Sequence, residues 1–300
     1  MTKLYLSSLF IKIANHLGSI FPDKPLNILR SYGVQSNEDL DIINGAITNV
    51  GSKILDCGTF SLHFADSIDQ EKVSIEGYEV YLKYFAEHYD FHFSFDRNFT
   101  IYGAEENRKC LERLQKSGFK PVPVIHDYYR GEIDYYIGEG YEFVALGSIM
   151  ENGSDKMLRK QKHIDYAVEK LYQNNVKMHL FGASSYKTIS HLPLYSCDSS
   201  SWAQNNKFGF ILYWNPEKEG ENKTDKLFFY DKHKDYSSDR PYFAEYDFRP
   251  QIEEYYGDLG ITYHDLTSTN KHYYRQLVNA IYYLTIEDVI KEKHKQLGYS

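Results

Sequence analysis

Between residues 50 and 200, short apolar or β-branched runs alternate with amphipathic segments, and this spacing predicts repeated strand–helix units with a parallel sheet. Strands are expected at Leu4–Leu6, Lys53–Cys57, Phe91–Phe95, Val122–Ile125, Phe143–Leu146, Met178–Phe181 and Tyr195–Cys197. Between them, Ile75–His88 places Tyr78, Leu82 and Phe85 along one helical face, and Ala104–Ser117 turns Cys110, Leu111 and Leu114 inward before Gly118 and Pro121 stop it. A third helix is expected over Asp155–Asn174, with Ile164, Ala167, Val168, Leu171 and Tyr172 on its buried stripe. No further run marks an eighth strand. The alternation fits a closed barrel and an open doubly wound sheet equally well.

After Trp202 the pattern changes. Phe208–Trp214 and Leu227–Tyr230 read as two strands joined by the polar stretch Asn215–Lys226, which predicts a β-hairpin insertion near residues 207–231 within a broader insertion over 207–250. The closing segment Asn270–Gln296 reads as a C-terminal helix with Tyr274, Leu277, Val278, Ile281 and Leu284 on its core stripe. The expected organisation is a single α/β domain over 1–300.

Composition narrows this picture only at its edges. No signal-peptide pattern or membrane-spanning run is present, so the expected setting is the cytoplasm, with no membrane partner. Cys57, Cys110 and Cys197 have no C-x-x-C spacing; neither a disulfide framework nor a cysteine zinc site is indicated, and all three read as buried packing. The net charge of −8 argues against nucleic acid, whose phosphates are met mainly by Lys and Arg. Local basic runs counter it: Lys156, Arg159, Lys160 and Lys162, then Lys223, Lys226, Lys232 and Lys234, although such runs also serve as solvated faces. The 29 tyrosines suit the wet rim of a core as well as they suit stacking surfaces.

The residues at the strand ends are more informative. Asp56, Asp96, His126 with Asp127, Gly147 with Ser148, Gly182 and Asp198 stand at successive strand ends, and in a parallel barrel those ends open on one face, where active sites are built. Each of these residues is also a common loop starter or cap. The pair Asp56 and Asp198 is the sharper case, because two carboxylates across a pocket divide the labour at a sugar C1′. One attacks the anomeric carbon and the other protonates the departing group, the logic of retaining glycoside hydrolysis.

Four segments resemble the tRNA-guanine transglycosylases. Asp56–Ser61 (DCGTFS) is similar to their D-S-G-G-F-Q motif, and Phe93–Asp96 (FSFD) to their F-D segment. Gly140–Ser148 (GYEFVALGS) resembles G-Y-D-G-x-A-x-G-G, and His179–Ala183 with the later Tyr195–Trp202 resembles L-x-G-x and then D-x-x-x. The S-x-D-S-x-S-W form of the last segment looks closer to the DpdA-like branch, which inserts 7-deazaguanines into DNA, than to the tRNA enzymes. The likeness covers roughly residues 50–205, in the family's order.

The resemblance implies a (β/α)8 TIM-like barrel and a pentosyltransferase that replaces guanine in nucleic acid, DNA favoured over tRNA, with a 7-deazaguanine such as preQ0. Asp198 is then the covalent nucleophile and Asp56 the general acid/base. Phe60 stacks on the base, while Asp96, His126, Gly147, Ser148 and Gly182 contact it. A phage-encoded protein in the host cytoplasm would fit that branch, and pairing as a homodimer or with a partner subunit would fit the family.

The chain departs from the pattern where the family's C-x-C-x-x-C zinc site is absent, so no cofactor or metal is expected, and Thr59 replaces the motif's second glycine. His126 stands near a base-reading glutamine and reads either as a base contact or as a histidine satisfied by a loop carbonyl. His179 reads as structural, and Trp202 as closing the barrel. Other readings are a tRNA enzyme, a glycoside or nucleoside hydrolase using water on the same barrel, and a non-catalytic nucleic-acid-binding subunit, against which the retention of both aspartates argues.

Overall fold

A computed structural model describes residues 2–34, 38–59, 73–147, 161–229, 241–268 and 272–299. Among them, eight parallel strands form one sheet: β1 (Lys3–Ser7), β2 (Leu26–Ser31), β3 (Val50–Asp56), β4 (Phe91–His92), β5 (Val124–Ile125), β6 (Phe143–Leu146), β7 (Lys177–Leu180) and β8 (Ser196–Ser199). Their order, β4-β3-β2-β1-β8-β7-β6-β5, brings the first and last strands together at the centre. The two edge strands meet through a parallel bridge between Phe93 and Val122, with Ser94 N–H donating to Val122 O and Val122 N–H to His92 O, both at 2.8 Å. The sheet therefore curls into a TIM-like (β/α)8 barrel, and the open-sheet alternative is set aside.

Helices alternate with the strands around the outside: α1 (Ile11–Ile20), α2 (Asp39–Ile43), α3 (Ile75–Phe85), α4 (Ala104–Lys116), α5 (Glu132–Gly138), α6 (Gln161–Gln173), α7 (Tyr186–Ile189) and α8 (Ser201–Lys207). Their apolar faces and the outward strand residues form the main core, which includes Leu4, Leu6, Ile28, Val144, Leu180 and Trp202. The α4 stripe packs as expected and the helix ends at Gly118, whose φ of +91° no L side chain adopts cheaply. Residues 155–160 of the expected third helix lie outside the described residues; α6 buries Ile164, Ala167, Val168 and Leu171, but Tyr172 is 44% exposed and meets Tyr299 instead.

The strand missing from the sequence reading is β2. Its apolar residues Leu26, Ile28 and Leu29 are interrupted by Asn27 and Arg30, which a periodicity search counts as solvent-facing. Both are buried: Asn27 Nδ2 donates to the Glu287 carboxylate at 3.2 Å, and Arg30 Nε to Asp39 Oδ1 at 2.6 Å. Satisfied polar groups of this kind make an interior strand look amphipathic.

Inside the barrel the period-2 alternation builds two storeys. The lower storey is apolar: Tyr5, Leu29, Ile54, Phe93, Val122, Val124 and Ala145 pack with Phe91, Phe143 and Phe181. The Phe93 and Phe181 rings approach to 4.5 Å, and the wholly buried His179 ring lies 4.9 and 4.7 Å from them. One step further in the same parity along or just past β1, β2, β3, β5 and β6 stand Ser7, Ser31, Asp56, His126 and Gly147, and beside this apolar layer Ser196 leads to Asp198. Thus the inward parity that fills the barrel also delivers polar residues to its C-terminal mouth.

Beyond α8 the chain forms an antiparallel hairpin, β9 (Phe210–Trp214) with β10 (Thr224–Phe228), where the sequence reading placed one. Its strands are offset from the expected ones: β10 starts inside the supposed polar loop, and Phe208 is 61% exposed. After α9 (Arg249–Asp258) and α10 (Tyr263–Thr267), α11 (His272–Gln296) runs along the assembly, bonding Leu212 N–H through Asn279 Oδ1 at 2.8 Å and Thr2 through His294 at 2.8 Å. It is buried on most sides rather than along one stripe, with Arg275, Asn279 and Glu287 among its buried residues. No helix among the described residues is long and apolar enough to cross a membrane.

Candidate active site at the barrel mouth

Asp198 is the most thoroughly held side chain of the mouth. It lies within β8, not after it as the sequence suggested, because β8 continues in register with β1, pairing Asp198 with Tyr5 and Ser199 with Leu6. Its Oδ2 accepts from Ser7 Oγ at 2.6 Å and its Oδ1 from the Gly182 N–H at 2.6 Å, while His179 Nε2 stands 3.5 Å from Oδ1. Burial, the largest single influence, pushes its pKa up, but His179, Ser7 and Gly182 together outweigh it and hold the carboxyl below its ordinary range.

Asp56 ends β3, three strands around the ring from β8, and so faces Asp198 across the mouth. It keeps part of its surface open. Burial, then the charges of Asp96 and Asp198, push its pKa up to about 7, against the Gly58 N–H donating to Oδ2 at 3.0 Å. That loop needs Gly58: at φ +80°, a Cβ there would lie 2.4 Å from Ser31 Oγ and 2.5 Å from Gly33 N. The two aspartates thus have opposite proton demands, one held as an anion and the other protonated near neutrality.

A second cluster forms on the far wall. Asp96 Oδ2 meets His126 Nε2 at 3.1 Å, with both residues buried. One partner of His126 is therefore a carboxylate, which was not among the readings taken from sequence. Gly147 is the reason the ring fits, since a Cβ there would lie 2.4 Å from His126 Cε1. The Asp96 loop is fastened by Asn107 of α4, whose Oδ1 accepts from the Arg97 and Asn98 N–H groups at 2.9 and 3.0 Å. Asp96 Oδ1 is buried and has no hydrogen-bond partner among the described residues, an acceptor of the kind that is normally satisfied. Glu132 ties down the end of β5 through the His126 and Asp127 N–H groups at 2.9 and 2.7 Å, and Asp127 Oδ1 holds its own turn, so both belong to the scaffold.

Of the residues singled out from sequence, Asp56, Asp96, His126, Gly147, Gly182 and Asp198 gather at this mouth, and Phe60 and Ser148 lie outside the described residues. Sequence reasoning missed Ser7 and Ser196 and set His179 aside as structural. His179 Nδ1 bonds Ser196 Oγ at 2.8 Å and its other nitrogen faces Asp198, so it positions that carboxylate. The available signal was parity: Ser196 and Asp198 are two apart on one strand, as His179 and Phe181 are on its neighbour. Trp202 closes the wall as expected, donating Nε1–H to Ser7 O at 2.9 Å.

The cysteines are all buried, and burial pushes the Cys57, Cys110 and Cys197 thiols up, which suits packing rather than nucleophilic use. Among the described residues, no group of three or more His, Cys, Asp and Glu is disposed to hold a metal ion. No family model and no curated protein matches the chain.

Proposed function

We propose that the protein is a base-exchange transglycosylase, a pentosyltransferase that replaces guanine in nucleic acid, DNA favoured, with a 7-deazaguanine such as preQ0. The observation that carries this reading is the opposite tuning of Asp56 and Asp198, because paired carboxylates pushed to different proton affinities divide into an acid and a nucleophile. Asp198, anionic and oriented by Ser7, Gly182 and His179, attacks C1′ of an extruded nucleotide. Asp56 gives its proton to the departing guanine. The C1′–N bond breaks as the C1′–Oδ bond forms, and the charge left on the base is neutralised by that proton. The incoming 7-deazaguanine then loses a proton to Asp56 and displaces Asp198, which restores both carboxyl groups with retention at C1′.

The unpartnered Asp96 Oδ1 supports a base with N–H donors on its edge, as guanine has, and His126 holds the other oxygen of the same carboxylate. The order of the four motifs along the chain supports the family reading and, through the S-x-D-S-x-S-W segment and the missing zinc site, the preference for DNA.

The test incubates purified protein with labelled guanine or preQ0 and, separately, duplex DNA and unmodified tRNA, and then identifies any exchanged base by digestion to nucleosides and mass spectrometry. Incorporation into DNA that disappears in Asp198→Ala is the expected result. Incorporation into tRNA instead would move the substrate and keep the chemistry. Base release without incorporation would replace the reading with a hydrolase, and identical inert behaviour of wild type and variant would overturn it.

A further inference from the structure

A cavity of about 450 Å³ opens beside the mouth, between the loop after β7 and the β9–β10 hairpin. That is within the ~300–1,000 Å³ typical of small-ligand sites. Gly182 lines it and also gives its N–H to Asp198, so the cavity and the carboxylate are joined through one residue. Its polar lining is neutral or cationic, including Ser184, Lys187, Thr188, Asn205 and Lys226, and none of the described residues lining it is acidic. In a chain of net charge −8, this is a local reversal of sign. The Lys226 ammonium sits 3.9 Å over the Phe210 ring, which fixes a cation on the hairpin wall. Asn205 also borders the cavity, 9% exposed, and its Nδ2, which has no hydrogen-bond partner among the described residues, is covered by its surroundings.

We propose that this cavity is a phosphate-binding subsite, with Lys187 and Lys226 supplying charge, Ser184 and Thr188 supplying hydroxyl donors, and Asn205 keeping the wall beside them neutral. Its phosphate is either a phosphodiester of a polynucleotide or the phosphomonoester of a free nucleotide. The phosphate assignment stands on the cavity's own lining, whereas joining it to a sugar held at Asp198 rests on the proposed base exchange. What links the two is Gly182, which lines the cavity and donates its N–H to Asp198.

Calorimetric binding of inorganic phosphate, guanosine 5′-monophosphate and a short guanine-containing single-stranded DNA to the full chain tests this, comparing wild type with a Lys187→Gln/Lys226→Gln double variant whose fold is verified by circular dichroism. Binding of at least one probe is expected to fall about tenfold or more in the double variant and to weaken with added salt in the wild type. DNA alone responding identifies a phosphodiester, and a response of the mononucleotide identifies a phosphomonoester. Asn205→Asp, which sets a carboxylate against the ligand, is expected to give the same loss and serves if the double variant does not fold. Equal binding by wild type and variants, or no binding of any probe, overturns the proposal. Asp198→Ala is expected to keep phosphate binding while losing base exchange, so failure of this inference and failure of the proposed reaction are told apart.

Discussion

The Ser7 hydroxyl donates to Asp198 Oδ2 at 2.6 Å across 191 positions of sequence, so the first strand of the barrel orients the carboxylate of the last. Hydrogen bonds to a charged group contribute about 1.5–3 kcal/mol. Ser7→Ala is therefore expected to lower the exchange rate roughly 10- to 100-fold while the protein stays folded. Ser7→Thr, which keeps the hydroxyl, is expected to recover most of that loss. Single-turnover rates of the three proteins check this, and equal rates would remove Ser7 from the mechanism.

Asp56 gives a pH dependence of definite sign. Its carboxyl is raised from an ordinary 3.8 to about 7, so between those values the native state holds a proton the unfolded chain has lost. Stability from this group is complete below the lower value and falls as pH rises through the window, with a slope approaching about 1.4 kcal/mol per pH unit. Denaturant melts of wild type and Asp56→Asn between pH 4 and 8 are expected to converge at the acid end and separate above it, with the wild type the less stable. In the active enzyme the same ionisation removes the acid, so base release is expected to decline above about pH 7.

Gly147→Ala tests the seat of His126. A methyl 2.4 Å from Cε1 forces the ring away and breaks its contact with Asp96. Overpacking of this kind costs about 1–3 kcal/mol. A lowered melting temperature is expected together with weaker guanine binding. A variant that melts like wild type and binds guanine equally well would show that the ring yields without consequence.

His179→Phe preserves the aromatic plug while removing both polar contacts of the ring. It strands the buried Ser196 hydroxyl, at a cost of about 1–3 kcal/mol. It also withdraws the strongest influence keeping the Asp198 pKa low, leaving burial to raise it. The acid limb of the pH–rate profile is expected to move to higher pH, a shift that a merely structural histidine would not produce.

The sequence disclosed most of the barrel because its strands from β3 onward are apolar runs separated by strongly amphipathic helices. It concealed β2 because Asn27 and Arg30 are satisfied by Glu287, 260 positions away, and by Asp39, 9 positions away on the next helix, pairings that hydrophobic periodicity does not register. The carboxylates of the mouth were legible as strand-end residues. Ser7 was not, since a serine after Leu4–Leu6 marks only the end of a strand, and its meaning comes from the β1–β8 pairing. The opposite tuning of Asp56 and Asp198 was likewise invisible: both are aspartates beside a cysteine, and only their neighbours in space distinguish them.

The barrel wall is unevenly joined. β4 and β5 are two-residue strands held together by the single bridge at Phe93 and Val122, whereas β2 and β3 pair along six positions. Opening is therefore expected to start at that joint, with the amides of Ser94 and Val122 exchanging with solvent deuterium sooner than those of β1 to β3. Asp96 lies three residues past Phe93 of that joint. A ligand that steadies Asp96 is therefore expected to slow that exchange, so that an occupied mouth gives a slower-breathing barrel.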